Sequence, residues 1–280
     1  MLVEVLTRIA LIVTAMIVVG IAVFVGRYRL RETRTEWRER VRAAAPVTIV
    51  LALVLLFNSE SRITVPEVSW IIDWNLTGPI YELEGQFIVW LQSYATPAAT
   101  AFFSFIYIYG YVFLLVFPLI AYFALSNTRP LRELLAAYAL NYAIGIVLYT
   151  LIIAYGPRNV MPELVDALLY DTYPRYQHLT RQVNRNTNVF PSLHTSLAAT
   201  VSFLAYRTRD VYPRWAVVAI FLGICVAIST MYLGIHWAID VLAGIVLGWV
   251  SVALAGHLVG RWSIGGYLEG RSPLGALRRN

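Results

Sequence analysis

Seven apolar stretches recur along this 280-residue chain, most of them near the ~20 residues a helix needs to cross a bilayer. They run roughly Val3–Val25, Val41–Phe57, Ala98–Leu125, Leu131–Tyr155, Ser192–Tyr206, Trp215–Leu233 and Trp237–Val259. Hydrocarbon offers no water to backbone amides and carbonyls, so such runs are read as helices whose bonds close within the segment. The balance of residues agrees: 59% are hydrophobic and 14% charged, against ~25% charged in soluble domains. The expectation is an all-α, polytopic membrane helix bundle. The second and fifth stretches are short and would span only with flanking residues or local thinning of the bilayer. The first is long, lacks a small-residue cleavage site and is followed by a basic stop, so it is expected to stay as a transmembrane helix.

The 22 basic residues are all arginine, and most lie in short loops beside apolar segments. That is the footprint of membrane orientation rather than of nucleic-acid binding. Arg27 to Arg42, Arg129 with Arg132, Arg207 to Arg214 and the tail from Arg261 to Arg279 all fall on one side of a seven-span chain. The positive-inside rule makes that side cytoplasmic. The expected protein is a multi-pass cell-membrane protein with its N-terminus outside and its C-terminus in the cytoplasm. Cys225 is the only cysteine, so neither a disulfide framework nor a thiolate metal cluster is expected.

The outer side then receives residues 59–97, 156–191 and the short turn 234–236. In the first, Ile80, Leu83, Phe87, Ile88 and Leu91 recur at helical spacing with Glu82, Glu84, Gln86 and Gln92 between them. This predicts an amphipathic helix lying in the interface, with Trp70, Trp74 and Trp90 at headgroup level. The second carries Arg158, Arg175, Arg181 and Arg185 against the orientation trend, which points to an anionic ligand held by guanidinium forks.

Two histidines stand where outer helix ends begin. His236 and Asp240 are four apart and share a helix face. A carboxylate on one imidazole nitrogen fixes the tautomer and frees the other nitrogen as a nucleophile or base. His194 follows Pro191 and Ser192 at a helix start, whose amides and dipole favour an anion. There the Ser192 hydroxyl would hold phosphate oxygens while His194 handles a proton. His178 lies in the outer loop, and His257, near the cytoplasmic end, is expected to be structural.

The run Pro191-Ser192-Leu193-His194, followed by Thr230-Met231-Tyr232-Leu233-Gly234-Ile235-His236-Trp237-Ala238-Ile239-Asp240, resembles the type 2 phosphatidic acid phosphatase superfamily. Phe190 before the first run and the Thr-Met-Tyr-Leu lead-in to the second resemble its inositol phosphorylceramide synthase branch. The resemblance implies a six-helix core over residues 44–260, preceded by an added helix and Arg-rich loop (1–43) and followed by a tail (261–280). It implies His236 as the nucleophile, Asp240 as its orienter and His194 as general acid and base. It implies chemistry without a metal or other cofactor, on membrane lipid substrates. Arg158, then Arg185, are the expected phosphate clamps.

Two positions depart from the family pattern. Thr230 stands where an arginine is usual, and Gly156-Pro157-Arg158 is the nearest match to the family's first motif. The expected activity is transfer of a phosphoryl or phospho-headgroup between lipid-linked partners, including phosphoinositol. A lipid phosphate phosphatase, a proton-coupled transporter and an inactive lipid-binding homologue stay open as alternatives.

Overall fold

The computed structural model describes residues 2–173 and 188–261. Arg175, His178, Arg181, Arg185 and the tail from residue 262 lie outside the described residues. The described chain is all-α: the only extended pairing is an isolated bridge between Asn75 and Ile153.

Helix α1 (Leu2–Gly20) ends in a π-helical turn (Ile21–Val25), and α2 runs unbroken from Arg27 to Ile72. The amphipathic α3 (Thr77–Gln92) is followed by α4 (Pro97–Phe105), which passes through a second π turn into α5 (Tyr111–Phe123). Then come α6 (Arg129–Leu151), the short α7 (Pro157–Val160) and α8 (Leu168–Thr172), and finally α9 (Leu193–Arg207), α10 (Pro213–Tyr232) and α11 (Ala238–Arg261). Six helical spans among the described residues are long and apolar enough to cross a membrane: Val3–Val25, Arg27–Ser61, Pro97–Phe123, Arg129–Leu151, Pro213–Tyr232 and Ala238–Val259.

The fifth apolar stretch of the sequence is α9, whose 15 residues measure about 22 Å, well under the hydrocarbon thickness. Its polar residues explain the weak hydropathy signal. Thr195, Ser196 and Thr200 are buried and turn toward protein rather than lipid. Asn141 of α6 donates to the Thr200 hydroxyl at 2.9 Å and accepts from the Ser196 hydroxyl, so the polar groups of two helices satisfy each other. Around them Leu197, Val201 and Leu204 pack into the main core with Phe117, Leu134 and Trp215.

The second difference lies in the first basic loop, which is helical throughout. At about 69 Å, the 46-residue α2 is more than twice the hydrocarbon thickness. Its arginines meet those of the other basic loops at one end of the bundle. Arg29 donates to the Val211 carbonyl at 3.2 Å and Arg40 to that of Phe123 at 3.0 Å. Arg129 and Arg207 share the buried carboxylate of Glu133 at 2.7 and 3.1 Å.

Helix α3 forms as the spacing predicts, but its apolar residues divide. Ile80 and Ile88 are buried on the protein, whereas Leu83 (73% exposed), Phe87 and Trp90 face away from it. Its acid Glu84, which the alternation places on a polar face, turns inward.

Candidate active site

At the end of the bundle opposite the clustered arginines, α9 and α11 begin side by side. The Ser192 amide donates to the Asp240 carbonyl at 3.0 Å, a direct backbone link between the two histidine motifs. Two glycines make the approach possible. A Cβ at Gly244 would stand 2.6 Å from the Ser192 carbonyl oxygen, and one at Gly248 would stand 2.7 Å from that of Ser196. The Gly-x-x-x-Gly spacing puts both on the face of α11 that lies against α9, the small-residue device of membrane helix pairs. Gly244→Ala is expected to force the helices apart, lowering stability by about 1–3 kcal/mol, the usual penalty of overpacking. Thermal unfolding in detergent, with the lipid-exposed Val246→Ala as control, checks this; an unchanged midpoint would show that the seam can relax.

His194 and His236 face one another, ring centroids 6.2 Å apart and planes inclined by 59°. His236 precedes α11, on a turn held by its own backbone. The amides of Ile235 and His236 both donate to the Thr230 carbonyl, at 3.0 and 3.1 Å. Gly234 permits that turn with its left-handed φ of +69°, where a side chain would strain the backbone and strike Val165. The His236 Nδ1 lies 3.4 Å from Asp240 Oδ2, and ring and carboxylate are both buried. Asp240 Oδ2 also accepts from the Trp237 amide at 2.9 Å, and the Trp237 indole donates to the Tyr155 carbonyl at 2.8 Å. The carboxylate is therefore fixed by its own helix start. His194 sits between two tyrosines of the α4–α5 span, with Tyr107 and Tyr111 at 4.9 and 4.8 Å between ring centroids.

The anion-binding candidates divide. Arg158 of α7 comes to the site: its amide donates to the Gly234 carbonyl at 3.3 Å, and its guanidinium covers the Tyr170 ring at 4.8 Å. Its Nη1 is buried with no hydrogen-bond partner among the described residues, a strong donor left for a ligand. Arg185 lies outside the described residues. Ser192 is buried at the right place, but its hydroxyl caps α9, accepting from the Thr195 amide at 3.3 Å and donating to the Thr195 hydroxyl at 3.0 Å. It reaches a phosphate only by releasing Thr195. Thr230 does not stand in for the missing arginine, because its hydroxyl bonds back to the Ala227 carbonyl at 2.8 Å.

The start of α11 is likewise not open to an anion. Glu84 of α3 accepts from the amides of Ala238 and Ile239 at 2.7 and 2.8 Å, and Asp240 takes that of Trp237. Burial holds the Glu84 carboxyl above the usual range; the two amide bonds pull it back, and the nearby charge of Asp240 adds to the rise. Glu84 was hidden in the sequence because nothing separates it from Glu82 on the same helix. The Gly244/Gly248 pair was legible as a spacing. Tyr107 and Tyr111 carry no signal beyond aromatic character.

A family model described as the PAP2 superfamily matches residues 82–254, from α3 to within α11. An uncharacterized protein of Methanocaldococcus jannaschii is 27% identical over 169 residues, which cover 59% of this chain and 64% of that protein. The chain thus spans less than two thirds of the length of that relative. No solved structure matches.

Proposed function

We propose that this chain, which belongs to the PAP2 superfamily, is a membrane phosphotransferase acting on lipid-linked phosphate through a phosphohistidine. The observation that carries the reading is the pair of imidazoles facing each other, ring centroids 6.2 Å apart, with a carboxylate behind His236 and, among the described residues, none behind His194. With its proton held on Nδ1 toward Asp240, His236 presents the Nε2 lone pair to phosphorus. A nitrogen–phosphorus bond forms as the bond from phosphorus to the leaving oxygen breaks, and His194 gives that oxygen its proton. In the second half the neutral His194 takes the proton of the acceptor hydroxyl. The acceptor oxygen then attacks phosphorus, and the bond to His236 breaks. Arg158 holds the non-bridging oxygens, with Arg185 as the second candidate clamp.

The arginine-bearing loops gathered at the far end support an extracytoplasmic site, an outer N-terminus and a cytoplasmic C-terminus. The Phe190–His194 run, the Thr-Met-Tyr-Leu lead-in and Thr230 favour an alcohol acceptor, as in the inositol phosphorylceramide synthase branch. The phosphatase reading shares the first half-reaction and differs only in water as the acceptor. Incubating the purified protein with defined phospholipids, with and without inositol, and identifying products by mass separates the two. The expected result is acceptor-dependent lipid or headgroup product in excess of free phosphate, blocked by vanadate. Intact lipids throughout, or vanadate-indifferent turnover, would overturn the proposal.

A further inference from the structure

We infer that α3 is a positioning strap for the nucleophile turn, with Glu84 and Gln92 gripping its two ends; this rests on His236 being the nucleophile. The turn between α10 and α11 carries His236 on residues that are not themselves helical; inside it the Ile235 and His236 amides bond back to the Thr230 carbonyl, and its two ends are held from outside. One element, α3, reaches both. After the turn, the two Glu84 oxygens take the Ala238 and Ile239 amides at 2.7 and 2.8 Å. Before it, Gln92 Nε2 donates to the Tyr232 carbonyl at 3.0 Å, the last residue of α10. The same amide group binds residue 166 from both sides, donating to the Asp166 carbonyl at 3.0 Å and accepting from the Asp166 amide at 2.9 Å. Eight residues separate Glu84 from Gln92, about 12 Å along a helix.

Each grip is strong for its kind. A carboxylate across two amides at a helix start combines charge-assisted hydrogen bonds with the favourable end of the helix dipole. It also satisfies donors that would otherwise be orphaned at the helix start. Because Trp237 is held by Asp240 and the next two amides by Glu84, the start of α11 is set by two acids, one from its own first turn and one from α3. Displacing reacting groups by about 1 Å can lower a rate by about 10²-fold, so a strap that never touches substrate still governs turnover.

The test uses the full chain in detergent with dioctanoyl phosphatidic acid as substrate and the variants Glu84→Ala, Glu84→Gln and Gln92→Ala. Glu84→Ala and Gln92→Ala are expected to lower kcat by about 10- to 100-fold with KM within about twofold. Glu84→Gln, which keeps one acceptor, is expected to recover part of the loss. Hydrogen exchange is expected to accelerate in residues 232–239 and to stay unchanged across the rest of the bundle. Wild-type kcat in both alanine variants overturns the strap, as does a loss accompanied by faster exchange everywhere. A wild-type protein that cleaves no lipid phosphate overturns the functional reading instead, and unaltered exchange at 232–239 then overturns the strap independently.

Discussion

Replacing His236 by alanine is expected to leave a folded protein with turnover reduced by at least about 10⁴-fold and with no covalent phosphate. Under the proposed mechanism the group removed makes the first bond, and among the described residues no second imidazole with a carboxylate partner stands beside it. His194 faces it with tyrosines against its ring and, among the described residues, no carboxylate partner. Folding is expected to survive because the turn is held by Thr230, Gly234 and Gln92 rather than by the imidazole. The measurement is a rapid quench with labelled substrate: phosphohistidine is labile in acid and stable in base. Acid-labile label on the variant at wild-type stoichiometry would refute the assignment of nucleophile.

His194→Ala is expected to divide the reaction in two. With a lipid phosphate, whose leaving alkoxide needs a proton, turnover should fall by about 10²–10⁴-fold, the usual contribution of a positioned acid and base. With an aryl phosphate the leaving group departs unaided, so the phosphoenzyme should form at nearly the wild-type rate. It should then accumulate, because no base remains to activate water or alcohol. A burst of nitrophenolate equal to the enzyme present, followed by a slow steady rate, is the expected trace. Equal loss on both substrates would mean that His194 acts on the nucleophile or the fold rather than on the leaving oxygen.

Most of the bundle was legible because lipid imposes long apolar runs, and those runs map onto helices to within a few residues except at α2, which continues well past the second run at both ends. The weakest of the runs was α9, where buried Thr195, Ser196 and Thr200 lower the hydropathy, the last two because they pair with Asn141. The two histidines and Asp240 were legible as motifs since their spacing to helix starts is local. Their meeting depends on Gly244 and Gly248, a spacing that reads as a packing device once its partner helix is known. Glu84 was out of reach, because its partner amides lie more than 150 residues away and its own helix shows only a polar stripe. The α9 helix start, expected to favour an anion, is capped by its own Ser192, and that of α11 is filled by Glu84 and Asp240, which leaves the unpartnered guanidinium nitrogen of Arg158 as a buried donor beside them.

The glycine seam has a consequence for how such a protein diversifies. Main chain rests on main chain where α9 meets α11, so the spacing between the two imidazoles is set first by backbone contact and only then trimmed by the elements around it. Relatives that trade Arg158, Tyr170 or residues of the 156–191 loop are then expected to inherit the same spacing between the two rings.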